Sequence, residues 1–365
     1  HSALENKYGT HQADVYLEGS DQYRGWFNSS LITSVALEGI APYKTVISHG
    51  FTLDGQGRKM SKSLGNTIDP LKVCNELGAD ILRLWVSSVY YQSDVQISME
   101  LLKQIAESYR KIRNTFRFLL GNLSDFNPKC DRIDYKELGE VDKYIECSLN
   151  ELVKKVHSSY NSYQFDDVYR DILQFMTVTL SAFYLDYTKD VLYIHEKNSK
   201  ERRSIQTVLF DTMMALATLL TPILPHTMDE VYSYSNQEKK ESIYLLDMVQ
   251  YKEIEGSKEI LEKFKKFEEL RSDVLKALEE ARNEKVIGKS FSAHLFLQPK
   301  DEYAKLIDDC HFNLGQVFIV SKFSIDLNLC VDILNSKNAI TPAEMIHGII
   351  LCFEARNDKN IRWSL

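Results

Sequence analysis

The spacing of apolar residues changes along the chain, and its first part mixes two periodicities. Residues 14–19 and 45–51 have the short apolar pattern of strands, and residues 26–40 have the pattern of a helix. A strand, a helix and a strand in this order predict a βαβ unit with parallel strands. Ligands of such units bind at the carboxyl edge of the sheet, so residues 18–22 and 49–51 should share one rim.

From residue 99 onward, apolar positions recur every three or four residues, and Pro and Gly become scarce. This pattern predicts a region built from helices. The predicted helices are residues 99–123, 141–162, 165–194, 200–222 and 257–283. The last helix carries one apolar stripe from Ile260 to Leu278, which is typical of a packing face.

After residue 292, short apolar runs return. They predict strands at residues 293–297, 317–320 and 348–353, and hence a small α+β tail. The sequence therefore predicts a multidomain protein with a partial α/β unit, an α-helical bundle and an α+β tail. The expected domains are residues 1–98, 99–283 and 284–365.

Composition restricts the class of protein. The 44% of hydrophobic residues predicts folded domains, and the net charge of −8 argues against a protein that binds nucleic acid over its whole surface. The six cysteines include no C-x-x-C pair, so we expect free thiols in a reducing compartment. No apolar run can span a membrane and no leader begins the chain, which predicts a cytoplasmic protein without a membrane partner. The first residue, His1, predicts a fragment whose N-terminal part is missing.

A basic loop at residues 54–66 is the first candidate site. Arg58, Lys59 and Lys62 follow a predicted strand among several glycines, which predicts a mobile and strongly positive loop. A flexible lysine that closes over a triphosphate can stabilise charge as it develops during phosphoryl chemistry. A solvated basic turn is the alternative interpretation.

The second candidate lies at the end of the first predicted strand. The carboxylates of Glu18 and Asp21 and the amide of Gln22 can accept hydrogen bonds from an ammonium group or from ribose hydroxyls, and Gly19 lets a ligand approach the backbone. The alternative is that Glu18 and Asp21 cap the following helix.

The loop Lys59-Met60-Ser61-Lys62-Ser63 matches, letter for letter, the signature loop of class I aminoacyl-tRNA synthetases. Upstream of this loop, residues 16–27 resemble the corresponding segment in the isoleucine-specific members of that family. The resemblance implies that Lys59 and Lys62 are catalytic, and that Lys62, Ser61 and Ser63 bind ATP.

The resemblance also assigns roles at the predicted sheet edge. It implies that Glu18 and Gly19 contact the aminoacyl-adenylate, Asp21 its ribose and Gln22 its amino acid side. His49, Gly50 and Phe51 would lie beside the adenine and complete the ATP site.

In the helical region, Arg110, Arg113 and Arg117 share one helical face. This face is predicted either to bind tRNA phosphates or to be a solvated face paired with nearby acids. Residues 222–231 resemble the anticodon-binding helical domain of the Ile, Val, Leu and Met enzymes. Within them, Thr227 and Glu230 have the spacing of a capping box at a helix start.

The resemblance thus implies the C-terminal half of a Rossmann-like catalytic domain followed by an anticodon-binding bundle. The implied activity is a ligase that joins isoleucine to tRNA(Ile) with ATP and Mg²⁺, acting as a monomer. The family's H-x-G-H sequence is not in this chain, so we expect the chain alone to be inactive. The domain that edits valine is also not in this sequence.

Residues 359–365 contain no paired cysteines where many bacterial relatives have a zinc module, so we predict no bound zinc or other metal. A noncatalytic tRNA-binding module derived from a synthetase is the alternative function. An unrelated helical scaffold with a chance basic loop would have to explain several motifs in the right order.

Overall fold

The βαβ unit predicted for the first part of the chain is present in the computed structural model. The structure describes residues 7, 9, 12–235, 240–283, 285, 293–298, 301–325, 340–346 and 349–355. Strand β1 (Ala13–Gly19), helix α1 (Trp26–Glu38) and strand β2 (Tyr43–His49) follow one another, and the two strands are parallel. Helix α1 ends before the predicted residue 40 because Gly39 adopts a left-handed conformation with φ of 71°.

Much of the apolar surface of this unit is open. Leu17 on β1 is 58% exposed, and Ile32 and Leu37 on α1 are 62% and 75% exposed. Parallel sheets are usually covered on both faces by helices. The described residues leave β1 and α1 with less cover than such a sheet normally has.

The unit continues into a short second sheet and two helices. Strand β3 (Thr52–Leu53) pairs in parallel with β4 (Val95–Gln96). Between them lie α2 (Pro70–Leu77) and α3 (Ala79–Ser88). The side chain of Asp69 accepts a hydrogen bond from the N–H of Leu71 and so caps α2.

The helical region follows the predicted periodicity closely. Its helices are α4 (Met99–Asn122), α5 (Glu140–Asn161), α6 (Phe165–Gln174), α7 (Leu185–Ile194), α8 (Lys200–Leu220), α9 (Pro225–Ser233) and α10 (Ser257–Asn283). The helix predicted at residues 165–194 is confirmed as one continuous helical run, in which a π-helix at Phe175–Tyr184 joins α6 to α7. A π-helix has a wider turn than an α-helix. Within it, Tyr184 donates a hydrogen bond to Asp142 on α5 at 2.7 Å.

The predicted capping box at the start of α9 was wrong. Helix α9 begins at Pro225, so Thr227 lies inside its first turn. The backbone N–H and the hydroxyl of Thr227 both donate to the carboxylate of Asp80 on α3, at 2.8 and 2.6 Å. A carboxylate from another helix thus satisfies the first turn of α9 and joins the βαβ part to the bundle.

The tail contains a four-stranded sheet in the order β6-β5-β8-β7. Its elements are β5 (Ala293–Gln298), α11 (Asp301–Asp308), α12 (Leu314–Phe318), β6 (Lys322–Ile325), β7 (Ile340–Ile346) and β8 (Ile349–Ala355). The predicted strand at residues 317–320 was wrong, because Val317 and Phe318 end helix α12, which Asn313 caps. Residues 359–365 lie outside the described part of the chain.

A continuous core joins the bundle to the tail. Phe267 on α10 packs with Phe264 of the same helix and with Phe318 of α12, inside the same buried cluster that contains Phe116 and Ile145 of the bundle. Over the described residues, no helix is both long and apolar enough to cross a bilayer.

Candidate functional site

The predicted rim forms where β1 and β2 end side by side. Gly19 lies opposite His49 in the parallel register. A Cβ atom on Gly19 would lie 2.7 Å from the Oδ1 of Asp21 and 3.7 Å from the Cε1 of His49. Gly19, Asp21 and His49 therefore meet at the carboxyl edge, as the sequence predicts.

Gly50 is the tightest point of this edge. Its N–H donates to the carbonyl of Tyr91 at 2.9 Å, and an added Cβ would lie 2.3 Å from the backbone carbonyl of Ser93. Because backbone cannot move aside as a side chain can, only glycine fits here. The next N–H, of Phe51, donates to the carboxylate of Asp94 at 2.7 Å, so both residues are anchored to the same loop.

Neither Glu18, inside β1, nor Asp21, after it, accepts a hydrogen bond from the first turn of α1, so the alternative interpretation that they cap this helix was wrong. The side-chain oxygen of Gln22 accepts the N–H of Trp26, the first residue of α1, at 2.9 Å. The amide nitrogen of Gln22 donates to Asp21 at 3.4 Å, and Glu18 accepts the N–H of Gly19 at 3.3 Å. Gln22 therefore orients Asp21 and the start of α1, while Glu18 and Asp21 stay exposed to solvent.

The basic loop is organised around the carboxylate of Asp54. It accepts hydrogen bonds from the side chain of Asn66 at 2.9 Å and from the backbone N–H groups of Gln56 and Arg58 at 3.0 and 2.8 Å. The Arg58 guanidinium forms an ion pair with it at 2.8 Å. The hydrogen bond from Asn66 first, and that from the Arg58 backbone next, hold the pKa of Asp54 well below its ordinary range.

Asn66 and Ser61 shape the second half of the loop. The side-chain oxygen of Asn66 accepts the N–H of Ser61 at 2.9 Å. The Ser61 hydroxyl caps a short 3₁₀ turn by accepting the N–H of Leu64 and lies 3.1 Å from the hydroxyl of Ser63. Gly65 ends the turn with φ of 64°. Asp54 and Asn66 lie within the basic loop at residues 54–66, but the sequence alone did not predict a role for either of them.

The two lysines of the loop are exposed. The Nζ of Lys59 lies 5.9 Å from the centre of the Phe51 ring, a cation–π contact that connects the loop to the rim at residues 49–51. Lys62 forms no ion pair with any residue that the structure describes. The one buried carboxylate of the loop pairs with Arg58, so it does not neutralise either lysine.

Replacing Asp54 with alanine should increase the rate of trypsin cleavage after Arg58, Lys59 and Lys62 by about tenfold, because the loop then opens more often. The carboxylate's contribution is complete above its unfolded pKa of 3.8 and is lost only as the pH falls toward the lowered folded value. The protection should therefore be constant across neutral pH. The control is Asp14→Ala, which removes only an exposed ion pair with Lys44. Equal cleavage rates in both variants would contradict this role of Asp54.

The three arginines on α4 do not share one environment. All three are exposed, but Arg110 forms an ion pair with Glu107. Arg113 and Arg117 instead line a cleft of about 540 Å³ between α4 and α9, together with Tyr234. Tyr234 is 70% exposed and was not singled out from the sequence. The interpretation as a face paired with acids therefore fits Arg110 and does not describe the other two.

Across the residues that the structure describes, no three side chains of His, Cys, Asp or Glu come together in a way that could hold a metal ion.

Two families match this chain. The family described as tRNA synthetases class I (I, L, M and V) matches residues 2–98. The family described as anticodon-binding domain of tRNA ligase matches residues 142–297. The rim and the basic loop lie in the first match, and most of the helical region lies in the second.

Curated isoleucine–tRNA ligases are similar to this chain over most of its length. The isoleucine–tRNA ligase of Geobacillus kaustophilus (strain HTA426) is 58% identical over 315 residues, which are 86% of this chain and 34% of that protein. The isoleucine–tRNA ligase of Bacillus cytotoxicus is 58% identical over 313 residues, with the same shares. The chain thus spans about a third of the length of these relatives.

Solved structures agree at the level of the fold. The LeuRS agnB2 of Agrobacterium radiobacter K84, in a ternary complex with tRNA and LeuAMS, has a TM-score of 0.54 at 21% identity and covers 68% of this chain and 29% of its own. Methionyl-tRNA synthetase of Mycobacterium tuberculosis with methionyl-adenylate has a TM-score of 0.51 at 18% identity and covers 60% and 43%. The chain therefore belongs to the class I aminoacyl-tRNA synthetase family, and within that family it is similar to isoleucine–tRNA ligases.

Proposed function

We propose that this chain is part of an isoleucine–tRNA ligase, which activates isoleucine with ATP and transfers it to tRNA(Ile). The observation that carries the proposal is the basic loop, where Asp54 and Asn66 fix the backbone while Lys59 and Lys62 stay exposed beside the rim. The identity of 58% to isoleucine–tRNA ligases supports the same function. Because these relatives are ligases, we prefer this function to a noncatalytic tRNA-binding module.

In the proposed reaction, the carboxylate of isoleucine attacks the α-phosphorus of ATP and pyrophosphate leaves. Lys62 contacts the phosphates, Lys59 supports it, and the hydroxyls of Ser61 and Ser63 lie beside them. Cations that reach the leaving pyrophosphate stabilise the charge that develops there, so positioning and electrostatics suffice without a covalent enzyme intermediate. ATP would arrive as its Mg²⁺ complex.

The rim would hold the rest of the adenylate. His49, Gly50 and Phe51 lie beside the adenine, and the close packing of Gly50 against the backbone of Ser93 fixes their position at the rim. Asp21 accepts hydrogen bonds from the ribose, and Glu18 with Gly19 contacts the aminoacyl group. Gln22 lies toward the amino acid and also keeps Asp21 in place through its amide nitrogen.

We propose three domains for this part of the ligase. Residues 1–98 are the C-terminal half of the catalytic domain, residues 99–283 bind the anticodon arm, and residues 284–365 form a small α+β domain. We propose that the protein acts as a monomer, with isoleucine, ATP and tRNA(Ile) as its partners. The match of residues 142–297 to an anticodon-binding family supports the second assignment.

The test of this function is a chimera in which the chain replaces the matching third of the Geobacillus kaustophilus ligase. The chimera supplies the segments that the chain does not contain. We expect it to exchange pyrophosphate into ATP in the presence of isoleucine, and to do so far more slowly with leucine. A folded chimera with no isoleucine-dependent exchange would contradict the proposal.

Replacing Arg110, Arg113 and Arg117 together with alanine should weaken binding of an isoleucine tRNA transcript to this chain about tenfold or more, and should lower the salt dependence of binding. The reason is that each phosphate contact releases counterions from the RNA. The competitors are a valine tRNA and an anticodon-mutated isoleucine tRNA.

The matched control for this variant removes the same charge from an exposed helix. Lys258, Lys265 and Lys276 on α10 are all exposed and can be changed to alanine together. If the arginine variant binds the transcript with the affinity and salt slope of the unsubstituted chain, α4 does not contact the RNA.

A further inference from the structure

A second cavity lies in the helical region, away from both the rim and the cleft beside α4. It has a volume of about 570 Å³ and lies between α5, α8 and the irregular segment 246–254. Its apolar wall includes Leu149 and Val153 from α5 and Met214 from α8. This size and lining are typical of pockets that accept a small organic group.

Glu146 is the unusual residue of this cavity. Its Oε1 is buried and has no hydrogen-bond partner among the described residues. Burial first, and the nearby Asp211 carboxylate next, raise the pKa of Glu146 to about 8. Burying a polar atom without a partner costs free energy, so such an atom needs an explanation beyond packing.

The opening of the cavity carries three cations, beside the carboxylates of Asp211 and Asp247. Arg132, Lys240 and Lys252 all line it and all reach solvent. Arg132 is held by a two-point ion pair with Asp211. The cavity thus has a carboxyl group inside, an apolar wall in the middle and cations at its opening.

The segment 246–254 is fixed as the outer wall of the cavity. Asn150 on α5 donates to the carbonyl of Lys252 and accepts its N–H, at 2.5 and 2.9 Å. The carbonyl of Val249 lies 2.6 Å from the Nε2 of His157, and its N–H donates to Thr218. These bonds hold irregular chain in place and keep the cavity open without a regular element.

We propose that this cavity binds a nucleotide unit, with the base inside against Glu146 and the phosphate at the cations of the opening. The flat, apolar faces of a base fit between the apolar walls of the cavity, and the polar edge of the base pairs with the free carboxyl oxygen of Glu146. The cations at the opening bind the phosphate. The unit is either a free nucleotide or one nucleotide of an RNA. The RNA form rests on the proposed function, whereas the free nucleotide does not.

The test uses the full chain with ¹³C-labelled methionine methyl groups and cytidine 5′-monophosphate as the probe. The Met214 methyl reports on the cavity, while the Met60 methyl reports on the basic loop, so failure of one site is distinguishable from failure of the other. We expect a saturable shift at Met214 with the nucleotide and none with ribose 5-phosphate, which has no base.

The variant Glu146→Leu keeps the volume and removes the carboxyl. It should weaken the nucleotide about tenfold, the effect of one lost hydrogen bond to an ionisable group. It should also raise Tm by about 2 °C, because an unpartnered buried carboxyl is no longer present. If Glu146 served only for packing, its replacement would not weaken nucleotide binding and raise Tm at the same time. Glu151→Leu, on the same helix, is the matched control.

The stability gain should depend on pH. Because the pKa of Glu146 is raised above its ordinary 4.5, the native protein loses stability as the pH rises from about 5 to 8, and the variant does not. Asp211 and Asp142 raise the pKa further, whereas Arg132 and Lys252 lower it. The difference in Tm between the two proteins should therefore grow over this range.

The source of the nucleotide follows from a second titration with the isoleucine tRNA transcript. A shift at Met214 with the transcript alone assigns the cavity to an RNA nucleotide, and a shift with the monophosphate alone assigns it to a free nucleotide. The proposal is overturned if neither moves Met214, if ribose 5-phosphate does so equally, or if Glu146→Leu binds as tightly as the native chain.

Discussion

Replacing Lys62 with alanine should lower kcat for isoleucyl-adenylate formation by about 10²–10³-fold in the chimeric ligase, the effect of removing one preorganised group that stabilises transition-state charge. Lys62 is exposed and has no ion pair in the described structure, so its full charge is available to the leaving pyrophosphate. The KM for isoleucine should change little, because the amino acid binds at the rim. The measurement is isoleucine-dependent pyrophosphate exchange at saturating substrates.

The matched control is Lys72→Ala on α2, another exposed lysine outside the loop. Lys59→Ala should have a smaller effect than Lys62→Ala, because Lys59 is partly engaged with the Phe51 ring. If Lys62→Ala keeps kcat within about threefold of the native value, the charge at this position does not stabilise the transition state.

Replacing Asp80 with alanine should lower the free energy of unfolding by about 3 kcal/mol, because it leaves two buried donors of Thr227 without their carboxylate. Asp80 is 6% exposed and lies between α3 and the first turn of α9. The measurement is urea unfolding followed by fluorescence, with Trp85 on α3 near the change. Asp14→Ala is the control, since it removes only an exposed ion pair.

A double-mutant cycle with Thr227→Val separates this contact from other effects of Asp80. We expect a coupling free energy of about 1–2 kcal/mol, since the hydroxyl of Thr227 keeps a second partner in Tyr109. Additive effects of the two substitutions would mean that Asp80 stabilises the protein through contacts other than Thr227.

Sequence periodicity predicted the main elements because their burial is regular. The stripe from Ile260 to Leu278 gives the predicted bounds of α10, and the parallel pairing of β1 with β2 follows from one short βαβ unit. Buried apolar runs are ambiguous, however. Val317 and Phe318 would be equally buried in a strand or in a helix. The side chain of Asn313 accepts the N–H of Gln316 and so stabilises the helix.

The candidate site was predictable only where a motif names its residues. The motif at residues 59–63 identifies both lysines, but nothing in its spacing says that Asn66 reaches back to Asp54 across the loop. Glu146 could not be found in this way, since a glutamate on a helix usually faces solvent and only the packing of α8 and segment 246–254 buries it. What distinguishes Glu146 is a buried carboxyl oxygen without a hydrogen-bond partner, and this can be seen only in the folded structure.

The contact of Asp80 with Thr227 also fixes the position of the βαβ part relative to the helical bundle. From the basic loop to α3 the chain passes only through α2. Helix α3 is held to α9 by Asp80, and to the turn before α9 by Arg83, which donates to the carbonyls of Pro222 and Ile223. The position of Lys59 and Lys62 therefore depends on how α3 is held against the bundle. Misalignment of the bundle alone would then displace the loop and slow the reaction, even with every residue at the rim intact.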